Sequence, residues 1–240
     1  MITSISNERI KNLKKLITSA KERKKQSLMV LEGERLCLEA KKIKELYFTE
    51  KAKNEVLISR AEKAEEVSLA VFNKISDTIT PQGVIAVVEM PQNELLLKKE
   101  GKYLAFENIQ DPGNLGTVAR TAEALGIDGI ILKGVDPYSP KVLRASMGAI
   151  LRIPLFLPDD ILDFIKKSNK RIVGTVVKKA KSLKDFSFKN DIVLIGNEAN
   201  GLTEKAISLC DEVITIEMAG NAESLNAAAA ASIILWEMVK

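Results

Sequence analysis

Three short clusters hold most of the chemistry that this chain of 240 residues can offer. The first is Glu107-Asn108-Ile109-Gln110-Asp111-Pro112-Gly113-Asn114-Leu115-Gly116-Thr117-Val118-Ala119-Arg120. The second is Gly196-Asn197-Glu198-Ala199-Asn200-Gly201-Leu202. The third is Met218-Ala219-Gly220-Asn221-Ala222-Glu223-Ser224-Leu225-Asn226. Each follows an aliphatic run and combines glycine, amides and charge. Histidine is absent, which removes Ser-His-Asp and Cys-His nucleophiles and most zinc sites. Cys37 and Cys210 stand alone, without metal-type spacing, and read as reduced cysteines of a cytoplasmic protein that needs no metal. Chemistry here therefore falls to Arg, Lys, Asp, Glu, Ser, Asn or a cofactor.

Each cluster also has a plainer reading. Asp111-Pro-Gly-Asn is a good turn, and Asn114 is a good helix cap. Gly201 suits a turn that needs positive φ, Arg120 suits an exposed helix face, and Ser224 suits the N-cap of the closing helix. Three such clusters on three strand ends are harder to reduce to turns. None has the Gly-x-Gly-x-x-Gly spacing or a Gly-Lys-Ser/Thr phosphate loop, which weakens dinucleotide and nucleoside-triphosphate readings.

The elements that must position these residues alternate between strand and helix, so the fold class is α/β. In the first 90 residues, Ile10, Leu13, Leu16 and Ile17 space a helix over 7–20. Strands are expected at 27–33, 44–49, 66–69 and 83–89, with helices at 34–42, near 57–64 and at 70–75. Residues 91–101 read as a linker. From 102 to 240 the expected strands are 103–107, 129–132, 153–157, 171–177, 191–195 and 213–216. Their helices lie at 115–125, near 141–148, at 160–167, near 203–209 and from Ala227 onward. Continuous apolar strands imply a parallel sheet covered on both faces, with ligands at the strands' carboxyl ends. The run Ala227–Ala231 lets the last helix lie close to other backbone. No run of apolar residues is long enough for a membrane span.

Charge is unevenly placed. Residues 1–25 carry eight Lys or Arg against Glu8 and Glu22, a local +6 in a chain of net +4. This basic arm suggests RNA or DNA, with Lys11, Lys14, Lys15, Arg23, Lys24 and Lys25 as candidate contacts. A merely solvated helix face is the alternative.

The ordered motifs Asn114-x-Gly116-x-x-x-Arg120, Gly196-x-Glu198-x-x-Gly201-Leu202 and Met218-x-Gly220-x-x-x-Ser224-Leu225-Asn226 resemble those of the SpoU (TrmH-type) RNA ribose 2′-O-methyltransferases of the SPOUT superfamily. The resemblance covers about residues 102–240. Residues 5–90 resemble, more loosely, the family's RNA substrate-binding domain. The resemblance implies a deep C-terminal trefoil knot, bound S-adenosylmethionine and a homodimer through the C-terminal domain. Carried over by motif, Gly196, Ile216, Leu225, Met218 and Gly220 would line the cofactor site, with Thr175 at its edge. Arg120 would contact phosphate and activate the 2′-hydroxyl. Glu198 would orient Arg120 or hold the helix together, Asn114 would fix the active loop, and Ser224 and Asn226 would orient the hydroxyl and loops. The family commonly has proline where this chain has Glu217. The implied substrate is structured RNA, 23S ribosomal RNA in preference to tRNA, because a separate N-terminal domain is present. A non-catalytic RNA-binding protein of the same fold is the alternative from another class.

Overall fold

The computed structural model describes residues 1–92, 96–177 and 180–240, so part of the expected linker, 93–95, lies outside the described residues. The chain forms two units, one of residues 1–91 with 136–148 and one of 92–135 with 149–240.

The first unit contains α1 (Glu8–Thr18), α2 (Ala20–Gln26), β1 (Leu28–Glu32), α3 (Glu34–Leu38), β2 (Ile43–Phe48), α4 (Glu55–Ser59), β3 (Ala61–Glu66), α5 (Leu69–Ile75) and β4 (Val84–Glu89). Its four strands run in the order β1-β4-β2-β3. β4 is antiparallel to both neighbours, and β2 is parallel to β3. Ile10, Leu13, Leu16 and Ile17 of α1 are buried, as their spacing predicts. They meet Val30, Val87 and Phe72 in one core cluster. Burying each such aliphatic side chain stabilises by about 1.5–3 kcal/mol.

Two expectations are corrected here. The helix near 57–64 ends at Ser59, and Ala61–Glu66 is a strand although its sequence is Ala-Glu-Lys-Ala-Glu-Glu. Pairing with β2 at the sheet edge overrides the helical propensity of those residues. Arg23 is not a solvent-facing contact, being 4% exposed. Its Nε donates to Asp136 Oδ2 at 3.0 Å, and its Nη1 donates to the Leu16 and Ile17 carbonyls at the end of α1.

The second unit opens with β5 (Tyr103–Ile109), α6 (Pro112–Ala124) and β6 (Gly129–Gly134). Residues 136–148, with α7 (Pro140–Ala145), then belong to the first unit, held by Arg23–Asp136 and by Arg144–Asp77 at 2.7 Å. The remainder is β7 (Leu155–Phe156), α8 (Ile161–Lys167), β8 (Ile172–Thr175), β9 (Lys181–Ser182), β10 (Ile192–Ile195), α9 (Glu204–Leu209), β11 (Glu212–Thr215) and α10 (Ala227–Val239). The strand order is β7-β6-β5-β10-β8-β11-β9, and every pairing is parallel. Parallel strands buried on both faces read as continuous aliphatic runs, which is why β5, β8 and β10 were legible. The two-residue edge strand β9 carries no such pattern.

Candidate active site

Four neighbouring strands, β5-β10-β8-β11, end on one edge of the parallel sheet. The three polar clusters follow β5, β10 and β11, and Thr175 closes β8. In open parallel sheets this carboxyl edge is where ligands bind.

The second cluster is a tight loop. Asn197 and Gly201 exchange backbone hydrogen bonds of 3.0 and 2.9 Å. Gly201 has φ +68°, and a Cβ on Gly196 would lie 2.0 Å from the Gly201 carbonyl carbon. Both positions therefore require glycine. The loop presents Glu198 toward the first cluster. Glu198 accepts from the backbone N–H of Gln110 at 3.3 Å and of Asp111 at 3.2 Å, and from Asn114 Nδ2 at 3.2 Å. Asn114 Oδ1 in turn accepts from Asn226 Nδ2 at 3.0 Å. Asn226 Oδ1 accepts from the backbone N–H of Ala228 and Ala229, capping α10. One hydrogen-bonded chain, Glu198–Asn114–Asn226, thus ties all three clusters together. Partial burial opposes ionisation of Glu198. The N–H groups of its own residue, Asp111 and Gln110 and the Asn114 amide outweigh that and hold its carboxyl below the usual range.

Two cap expectations are corrected. Asp111, not Asn114, caps α6, accepting from Asn114 N at 2.8 Å. Asn226, not Ser224, caps α10. In both places two cap-competent residues lie within three positions. The one not used as the cap lies beside the cavity or the relay instead.

Beside this relay lies a cavity of about 310 Å³. Thr175, Gly196, Ile216, Met218, Ser224 and Leu225 line it, as do Ile195, Ile214, Ala227, Ala230 and Ile234, which were not anticipated. The last three recur at i, i+3 and i+7 along α10, a helical stripe that periodicity could have flagged. Alanine at 227 and 230 leaves the slot open, while Ala228 and Ala231 are buried. On the same helix, Ser232 and Thr121 of α6 bond through their hydroxyls at 3.2 Å. The cavity adjoins a polar basin lined by Gln110, Asp111, Asn114, Glu198, Ser224 and Asn226. Apolar slot and polar basin share Glu198, Ala199, Ser224, Leu225 and Ala227.

Residues 101–236 match the SpoU rRNA methylase family, and residues 7–86 match the MRM3-like substrate binding domain. The chain belongs to the SpoU rRNA methylase family. It is 32% identical over 247 residues to the 23S rRNA (guanosine(2553)-2′-O)-methyltransferase RlmP of Bacillus subtilis, covering 99% of this chain and 98% of that one. It also superposes on the AdoMet-bound rRNA methyltransferase of Sinorhizobium meliloti with a TM-score of 0.87 and 29% identity, over 99% and 96% of the two chains. For the SpoU methyltransferase AviRb of Streptomyces viridochromogenes in complex with AdoMet, the TM-score is 0.83 at 29% identity, over 97% and 98%.

Not every anticipated SpoU-family site residue converges on the slot. Gly220 lines a neighbouring cavity of about 340 Å³ with Ile216, Glu217 and Met218. Arg120 is exposed on α6, outside the residues lining slot and basin, and makes no ion pair among the described residues. In the first unit Lys11, Lys14, Lys15, Lys24 and Lys25 are exposed. Lys11 pairs with Glu8 at 2.7 Å.

Proposed function

We propose that this chain transfers a methyl group from S-adenosylmethionine to a ribose 2′-hydroxyl of 23S ribosomal RNA. The observation that carries the reading is the Glu198–Asn114–Asn226 chain at the mouth of an apolar slot. The slot suits the cofactor. Its volume falls in the range of small-molecule sites, and its lining joins aliphatic side chains such as Ile195, Ile214, Ile216 and Leu225 to a few polar groups, among them Glu198 and Ser224. When bound, S-adenosylmethionine supplies a methyl group on a positively charged sulfur that departs as an uncharged thioether and needs no acid.

The protein's task is the ribose hydroxyl, a poor nucleophile that must be held in attacking geometry while its proton leaves. Gly196, Ile216, Met218 and Leu225 form the slot walls, with Thr175 beside them, and Gly220 shapes the adjoining turn. The Thr175 hydroxyl is already donated to the Leu194 carbonyl at 3.2 Å, which fits it for packing rather than for polar recognition. Glu198 holds Asn114, Asn114 holds Asn226, and Ser224 sits exposed where slot and basin meet. Arg120 is read as the contact for a phosphate next to the target ribose. Its guanidinium does not deprotonate in proteins, so it acts by positioning and charge rather than as a base.

RNA is engaged by residues 1–90 through Lys11, Lys14, Lys15, Lys24 and Lys25, with 91–101 as the linker and 102–240 as the methyltransferase region, apart from 136–148, which pack in the first unit. A homodimer through the second unit accounts for Ile233 and Trp236, which are 42% and 55% exposed on one face of α10. The strand order, with β10 and β11 on either side of β8, is compatible with a trefoil knot threaded by α10. Among the described residues no helix is long and apolar enough to cross a membrane, and a cytoplasmic site of action follows from a ribosomal RNA substrate. The test is mapping of ribose 2′-O-methylation in total RNA with and without the gene. One 23S rRNA position should lose its methyl group. Loss at a tRNA position, or no change, would overturn the reading.

A further inference from the structure

The proposed reaction gives no role to Glu217. It lies between Ile216 and Met218, both of which line the apolar slot. It opens a loop that runs to Asn226, the cap of α10. Residues 218–225 make no hydrogen bond among the described residues, yet Met218, Ser224 and Leu225 form one wall of the slot. That wall is therefore held from its two ends. The far end is fixed by Asn226, through Asn114 and the first turn of α10. The near end follows Thr215, whose hydroxyl donates to the Val177 carbonyl at 3.0 Å, and Glu217 extends that anchor into the wall.

The partners of Glu217 come from the sheet edge. β9 pairs with β11 in parallel register, with Ile214 opposite Lys181 and Thr215 opposite Ser182. The ladder then stops, and residues 183–185 form a single 3-10 turn capped by the Ser182 hydroxyl, which accepts from Lys184 N at 3.3 Å. Two positions beyond the last paired residues, Lys184 Nζ meets Glu217 Oε2 at 3.2 Å. Lys184 foremost, with the nearby Ser182 hydroxyl, holds the Glu217 carboxyl below its ordinary range. The side chains continue the β9–β11 pairing where the backbone bonds end.

We infer that Lys184, acting through Glu217, is a positioning residue that clasps the Ile216–Met218 wall of the cofactor slot and so sets cofactor affinity. The inference rests on the proposed S-adenosylmethionine site. Neither Lys184 nor Glu217 touches the reacting atoms. Both charged partners are exposed, with 78% and 54% of their side-chain surface accessible, so the clasp is modest in strength and screened by salt.

The experiment is calorimetric titration of the full chain with S-adenosylmethionine at low and at high ionic strength. Wild type, Glu217→Gln, Lys184→Met and the charge exchange Lys184→Glu/Glu217→Lys are compared. Each single substitution should weaken binding roughly two- to fivefold at low salt. The deficit should shrink in high salt, and the exchange should recover at least half of it. Thermal midpoints should stay within about 2 °C of wild type, and on RNA the cofactor KM should rise with kcat unchanged. Wild-type binding with all variants equal to it would overturn the clasp alone, as would an exchange no better than the single substitutions. No binding by wild type would overturn the cofactor site itself, and the clasp with it.

Discussion

The two edges of the seven-stranded sheet are built to opposite ends. At the amino edge, polar groups are consumed by one another. Asp191, 1% exposed, accepts from Arg171 Nε at 2.8 Å, Arg171 Nη2 at 2.7 Å and Lys189 N at 2.8 Å. Arg171 also reaches Glu212 and lies over the Phe186 ring. The Lys170 ammonium donates to the carbonyls of Lys99, Gly101 and Asn190, and burial lowers its pKa. At the carboxyl edge, Glu198, Asn114 and Asn226 bond just enough to fix one another and leave slot and basin open between them. The same parallel sheet thus has a saturated edge that serves stability and an open edge that serves recognition. Glu198 has as many hydrogen-bond partners as Asp191, so the difference lies in what adjoins the bonded groups: Asp191 is 1% exposed, whereas Glu198, Asn114 and Asn226 border the basin.

The comparison breaks first if the amino edge proves dispensable. Asp191→Ala leaves Arg171 without its buried partner and should cost about 3 kcal/mol. That is the lower part of the range for a broken buried pair, because Arg171 is partly exposed. Urea unfolding measures it, and S-adenosylmethionine affinity of the remaining folded protein should be unchanged. At the carboxyl edge, Gly196→Ala puts a methyl group 2.0 Å from backbone. It should cost about 1–3 kcal/mol of stability and at least tenfold in cofactor affinity by calorimetry. Asn226→Asp retains an acceptor for the cap but removes the amide that donates to Asn114. Stability should move by less than about 1 kcal/mol while methyl transfer falls at least tenfold. Equal losses at both edges on both measurements would erase the distinction.

Much of the carboxyl edge was legible because dense polar residues on aliphatic strand ends are uncommon, and three in order were enough to suggest a family. Its wiring was not. Asn114 reaches a residue 84 positions away and another 112 away, and no local rule pairs them. Caps were misplaced for a related reason. Asp111 and Asn114 satisfy the same local preference, as do Ser224 and Asn226, and the tertiary hydrogen bond decides which one caps. Arg23 looked like one more cation in a basic arm because its partner, Asp136, lies 113 positions on. The same pairing means that deleting residues 1–90 would strip 136–148 of their partners, so the RNA-binding unit is better probed by point substitutions.

Smaller effects sharpen the contrast. The Glu198 pKa is lowered in the folded protein, so its contribution is present above the ordinary carboxylate range. It is lost as pH falls through the lowered value. From about pH 6 to about pH 3, wild type should lose more stability than Glu198→Gln, as read by thermal midpoints across that range. Least visible without RNA are the lysines of α1 and α2. Changing Lys14, Lys15 and Lys25 together to Gln should leave cofactor binding intact. It should flatten the salt dependence of RNA affinity by about one unit of slope for each phosphate contact removed.

The most direct measurement is the position of the transferred methyl group. Purified protein, methyl-labelled S-adenosylmethionine and 23S ribosomal RNA are incubated together, and the RNA is digested to nucleosides. Label should appear in a single 2′-O-methylnucleoside and be lost with Asn226→Asp. Label on a base, or none despite cofactor binding, would contradict the assignment of the open edge to ribose methylation.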